Sequence, residues 1–205
     1  MFIEKLKSKY KTNEPILIKE ILDDFKEYSR NYVFKLIKIA EEKKELINFC
    51  YGVYYLPTKT ILGLSTISVD DVIRKKYLNN NIDNYGVYSG LKLQNIFNIS
   101  TQMPNTLEIV TNNETMRKRE IVINNRKIIL RKSKVPINNE NVKEYMLLQL
   151  MTEVGDSLYE EAKKRIQRYI KENDVNYKKT ISLASYFPSK TMKNLIISEV
   201  FDDIA

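Results

Sequence analysis

The stretch that decides the fold runs Val33-Phe-Lys-Leu-Ile-Lys-Ile-Ala40, then Glu41-Glu-Lys-Lys-Glu45, then Leu46-Ile-Asn-Phe-Cys-Tyr-Gly-Val-Tyr-Tyr-Leu-Pro57. Val33, Leu36, Ile37 and Ala40 recur at helical spacing. At about 100° per residue they form one apolar stripe, with Asn31, Lys35, Lys38 and Glu42 on the opposite face. Ser29 is a plausible N-cap for this helix, and the charged run 41–45 ends it. Two β-rich runs follow, Leu46 to Cys50 and Val53 to Leu56, separated by Tyr51-Gly52. Glycine there suits a turn that needs φ > 0, and Pro57 closes the second run. The whole reads as a recognition helix running into a β-wing.

Working outward, Phe2, Leu6 and Tyr10 predict an amphipathic first helix. Pro15 opens a second element with the stripe Ile18, Ile21, Leu22 and Phe25. Three short helices and a hairpin follow the order of a winged helix-turn-helix, expected over residues 1 to about 60. Thr58 to Ser68 reads as a loop or linker. Ser68-x-x-Asp71 resembles a capping box for a helix through about Leu78. Asn79 to Asn84 is a loop. Tyr88-Ser89-Gly90 precedes a short helical stripe, Leu91, Leu93, Ile96 and Phe97, and a strand is expected over Thr106 to Thr111. Residues Glu120 to Arg131 form the clearest hairpin, turning at Asn124-Asn125. Three consecutive apolar residues in each arm suggest strands covered on both faces.

After Pro136 the pattern is helical. Asn139 is a candidate cap for a helix through Val154, closed by Gly155. Ser157 starts another through about Asn173, and two more span Tyr177 to Tyr186 and Ser189 to Phe201. The expected class is α+β: the winged helix, then a small mixed sheet with C-terminal helices over 61–205.

Composition narrows the chemistry. The 205 residues are 43% hydrophobic, enough for a substantial core. No apolar run approaches the roughly 20 residues of a membrane span. The N-terminus alternates charge with apolar residues, unlike a signal peptide. A soluble cytoplasmic protein is expected, with no membrane partner. Cys50 is the single cysteine and reads as a small strand hydrophobe. There is no histidine, which removes Ser-His-Asp and Cys-His catalysis and ordinary zinc sites.

The net charge of +8 accompanies high Lys, Ile, Asn and Tyr content, as an AT-rich genome gives. Distribution is therefore more informative than the total. On the third helix, Arg30, Asn31, Lys35 and Lys38 fit the polar face that major-groove reading needs. Ser29 lies at that helix's start, and Asn48 and Tyr51 are candidate wing contacts. The competing reading is a solvated helix face, or a winged helix that binds protein.

Arg117, Lys118, Arg119, Arg126, Lys127, Arg131, Lys132 and Lys134 face only Glu120 within residues 117–134, a stretch that supplies +7 of the charge. It suits phosphate-backbone contact or, equally, an edge hairpin protected by charge. Signatures of an enzyme are mostly absent: no glycine-rich phosphate loop occurs. The pairs Asp23-Asp24, Asp70-Asp71 and Asp202-Asp203 diverge on a helix. Glu108 lies in a strand, but Val110 stands where a restriction-type nuclease would carry Lys. Neither a cofactor nor a metal is expected.

Five stretches carry a family resemblance: Tyr51-Gly-Val-Tyr-Tyr-Leu-Pro57, Tyr88-Ser-Gly-Leu91, Gln102-Met-Pro104, Ile109-Val-Thr-Asn112 and Phe187-Pro-Ser-Lys-Thr-Met192. In order and spacing the chain resembles the AbiEi-type antitoxins of bacterial abortive-infection (phage-resistance) systems. The resemblance implies an N-terminal winged helix that represses its own operon at inverted repeats in double-stranded promoter DNA. It also implies a C-terminal domain that neutralises a nucleotidyltransferase toxin without a stable complex, as in type IV toxin–antitoxin pairs. A non-enzymatic antitoxin and transcriptional repressor is the resulting expectation.

Overall fold

Apolar residues at helical spacing open the chain, and the sheet they pack on follows from three short extended runs. The computed structural model describes residues 2–154 and 160–202. The protein is α+β and divides into two compact units, Met1–Lys76 and Tyr77–Ala205. Among the described residues, no helix is long and apolar enough to cross a membrane.

The first unit begins with α1 (Phe2–Lys9), β1 (Ile16–Leu17), α2 (Ile18–Asp24) and α3 (Arg30–Glu42). Then come β2 (Ile47–Cys50) and β3 (Val53–Tyr55). The three strands form an antiparallel sheet in the order β1-β3-β2. Gly52 makes the β2–β3 turn at φ +72°, as its position between the two runs leads one to expect. Leu6, Ile21, Phe25, Val33, Ile37 and Tyr54 share one core between the helices and the sheet.

A short hairpin follows, β4 (Lys59–Thr60) and β5 (Gly63–Leu64), where the sequence suggests only a loop. Then α4 (Val69–Ile73) runs into a π-helical turn, Arg74–Leu78. The Ser68 hydroxyl caps α4, accepting from the Asp71 amide at 3.0 Å. Val53 and Tyr55 turn away from Tyr54 and bury themselves with Ile67 and Val72. The sheet is thus covered on both faces. Lys75, itself buried, bridges Glu14 at 3.4 Å and Glu20 at 3.2 Å. These contacts carry the first unit to Lys76, beyond the expected boundary near residue 60.

The second unit contains β6 (Gly86–Ser89), α5 (Gly90–Ile96), β7 (Thr106–Thr111), β8 (Arg119–Ile123) and β9 (Arg126–Lys132). Helices α6 (Val142–Glu153), α7 (Glu160–Glu172), α8 (Tyr177–Ala184) and α9 (Ser189–Ile197) complete it. The sheet order is β6-β7-β9-β8, with β7 and β9 parallel and the outer pairs antiparallel. Val87 and Val110 of the sheet pack with Leu93, Leu147, Leu148 and Ile166 of the helices.

Some expectations need correction. The β8–β9 turn has Asn124 and Asn125 at φ 42° and 66°, the two positive values of a type I′ turn. Its strands are not both covered on two faces, however: β8 is an edge strand and Val122 is 63% exposed. Strands β1 and β6 lie where no strand is expected. Asn139 does not cap α6; its Oδ1 accepts from the Asn84 amide at 2.7 Å, and α6 begins three residues later. Gly155, Ser157 and Asp203 lie outside the described residues.

Candidate nucleic-acid interface

In α3 the apolar stripe buries Val33, Ile37 and Ala40 against the first core. Helical geometry then obliges Asn31, Lys35, Lys38 and Glu42 to face solvent, and all are exposed. Arg30 is exposed as well, its guanidinium 5.6 Å from the centre of the Phe34 ring. Neither Lys35 nor Lys38 forms a salt bridge among the described residues. A groove-reading helix needs donors free in this way. The same surface holds partly exposed Tyr32, Phe34 and Ile39.

The remaining three residues of the expected DNA surface are placed differently. The Ser29 hydroxyl accepts from the Tyr32 amide at 3.3 Å, so it caps the helix. Asn48 is exposed on β2 opposite Tyr54. Burial pushes the Tyr54 hydroxyl above its ordinary pKa, and a hydrogen bond with Asn48 pulls it back. Tyr51, at the tip of the β2–β3 hairpin, is 94% exposed. Cys50 is half-buried, and burial raises its thiol pKa. That disfavours the reactive thiolate.

The eight basic residues of 117–134 do not form one patch. Lys118 pairs with Glu120 at 2.9 Å, and Arg119 with the buried Glu114 at 2.8 Å. Arg126 starts β9 beside the turn, and Lys127 borders a separate groove with Glu120 and Val122. Arg117, Arg131, Lys132 and Lys134 instead border a cleft of about 800 Å³, joined by Lys190 from α9.

Two carboxylates line the same cleft. Glu108 of β7 takes Arg131 Nη2 at 3.2 Å. Glu153, at the end of α6, accepts from the Ser89 hydroxyl at 2.5 Å, the Gly90 amide at 2.9 Å and Gln149 Nε2 at 2.9 Å. Gly90 stands at φ +63°, and a Cβ there would lie 3.1 Å from Glu108 Oε1. Glycine therefore satisfies both the backbone angle and the space. Partial burial first, and then the nearby Lys190 ammonium, lower the pKa of Lys134, whose charge lies 4.2 Å from the centre of the Phe187 ring.

Sequence reasoning assigned no role to Ser89, Gly90, Gln149, Glu153 or Lys190. Three of these, Ser89, Gly90 and Lys190, lie in stretches that carry the family resemblance. The signal was present as motifs without geometry. Asp24 accepts from the Tyr10 hydroxyl at 2.6 Å, and Asp71 accepts from the Ser68 hydroxyl and pairs with Arg74 just past α4, so these members of the acidic pairs are structural. Among the described residues, no three His, Cys, Asp or Glu side chains converge as a metal site.

No curated protein and no solved structure matches the chain. Residues 2–177 match the family described as "Family of unknown function (DUF6088)". That match spans most of the chain, and the protein belongs to the DUF6088 family.

Proposed function

We propose that the protein is a DNA-binding autorepressor and antitoxin, with residues 1–76 acting as a winged helix-turn-helix and α3 as its recognition helix. The observation that carries this reading is the solvent strip Asn31, Lys35 and Lys38 on α3, in a unit ordered helix, strand, helix, helix, strand, strand with a three-stranded antiparallel sheet. Such a unit presents its third helix to the major groove while the hairpin contacts the backbone or minor groove. Arg30 and Asn31 lie in the first turn of α3, the end that usually meets base edges. Exposed Tyr51 takes the wing role. The antitoxin half rests on the resemblance to AbiEi-type antitoxins: the second unit counteracts a nucleotidyltransferase toxin without a stable complex, and promoter inverted repeats would seat two copies. The cytoplasm is the compartment this role requires.

A second reading draws on Tyr32, Phe34 and Ile39, whose partial exposure on α3 favours a winged helix that docks on protein. Salt separates the two. Phosphate contacts release counterions, so affinity for the DNA upstream of the protein's own gene should fall steeply as salt rises. Binding to that DNA no tighter than to a scrambled duplex at every salt concentration would exclude the repressor role. Co-expression with a nucleotidyltransferase encoded beside it tests the other half: rescue of growth is expected, and unrelieved toxicity would count against it. No cleavage of DNA or RNA with Mg²⁺ is expected.

A further inference from the structure

We propose that the cleft bordered by Arg117, Lys132, Lys134 and Lys190 binds a triphosphate group, carried by a free nucleotide or by the 5′ end of an RNA. None of these four cations has a carboxylate partner among the described residues. Folding has nevertheless brought them to one concavity from separate parts of the chain: the 112–118 connection, the end of β9 and the residues after it, and the first turn of α9. Convergence without carboxylates to balance it is costly in the empty state, because like charges repel; Lys134 is partly compensated by the Phe187 ring. The pKa of Lys134 is lowered mainly by burial, and the repulsion from Lys190 is the second, smaller cause. An anion bound in the cleft would offset that repulsion.

Charge selects the ligand. Arg131 is answered by Glu108, and Glu153 is the other carboxylate on the lining, so five cations and two carboxylates leave a formal excess of three positive charges. A monophosphate ester supplies only about 1.5 to 2 negative charges. A triphosphate supplies more than a monophosphate, enough to neutralise the excess in full. Duplex DNA offers single charges spread along a strand, whereas these cations meet in one concave site. Its volume of about 800 Å³ falls among small-molecule pockets, roughly 300–1,000 Å³. Glu153 is held by three donors, from Ser89, Gly90 and Gln149, which fixes the wall facing the cations. The site lies wholly within the second unit and does not depend on the DNA-binding reading.

The test is calorimetric titration of the full chain, at fixed ionic strength, with inorganic tripolyphosphate, ATP, AMP, and a short RNA bearing either a 5′-triphosphate or a 5′-hydroxyl. Tripolyphosphate should bind, and AMP should bind more weakly. Lys190→Ala and Arg117→Ala should each weaken tripolyphosphate binding by about tenfold or more, the loss of one charge-assisted contact. Lys190→Arg should retain it. Lys118→Ala and Lys127→Ala, outside the cleft, should leave it unchanged. Preference for ATP over the triphosphorylated RNA assigns a free nucleotide; the reverse assigns an RNA end. Three results overturn the proposal: no heat with millimolar tripolyphosphate, equal losses in the Lys118 and Lys190 variants, or equal binding of AMP and tripolyphosphate. Circular dichroism of each variant separates lost binding from lost folding.

Discussion

Lys134 shows how a single residue registers its surroundings. Its pKa in the folded chain lies below the ordinary lysine value of 10.5, first through partial burial and then through Lys190. Between the lowered value and 10.5 the unfolded chain binds more protons than the folded one, so stability rises with pH across that window. Below the window the folded protein carries an unfavourable charge. Lys134→Met should therefore flatten the rise between the lowered value and 10.5, while giving up the contact of the ammonium with the Phe187 ring. A variant with an unaltered pH–stability profile would show that Lys134 is not destabilised by its neighbours. None of this is legible in the sequence, where Lys134 is one of eight basic residues and Lys190 lies 56 positions away. Ser29 is the opposite case: its cap depends on the next three residues alone, so local chemistry revealed it. The Ser89, Gly90 and Glu153 cluster joins α6 to the β6–α5 turn, and no local pattern announces that pairing.

Among the elements, those whose sequence fixes their own turn were readable in advance. The β8–β9 hairpin depends on Asn124 and Asn125, which tolerate positive φ as single residues. Asn125→Ala should cost up to about 1 kcal/mol in urea unfolding, because alanine lacks the short polar side chain that lets asparagine occupy the left-handed region. No loss of stability would mean that the turn relaxes to another type. Helix α3 was equally legible, because its stripe has helical period and its cap is local. Strand β1 has two residues, too few for alternation to register. Strand β6 runs Gly-Val-Tyr-Ser, only two strand-favouring residues between Gly and Ser, and is held by pairing with β7 over its whole length. The exposure of Val122 has the same kind of cause: apolar triplets in both arms do not disclose which strand is the edge. Arg119 and Glu120 at the start of β8 supply charge that protects such an edge.

For the whole molecule, the α+β class was legible and the place of the boundary between the two units was not. A winged helix is complete by sequence pattern near residue 60, yet Val53 and Tyr55 need Ile67 and Val72 to cover them. A fragment of residues 1–76 should melt cooperatively, while residues 1–60 should melt lower or not fold, because one sheet face is bared. Equal melting temperatures would place the boundary back near 60. The cleft was half legible: four of its cations were recognised as basic residues of 117–134, while their separation from Lys118, Arg119, Arg126 and Lys127 required the sheet order. The DNA-reading role proposed for α3 is tested most directly by fluorescence anisotropy of the full chain on the DNA upstream of its own gene at fixed salt. Comparison of the natural protein with Lys35→Ala/Lys38→Ala isolates the exposed strip, since both lysines face solvent and the core stripe is untouched. The double variant should keep its melting temperature and lose about tenfold or more in affinity; unchanged affinity would contradict the assignment of α3 as the recognition helix.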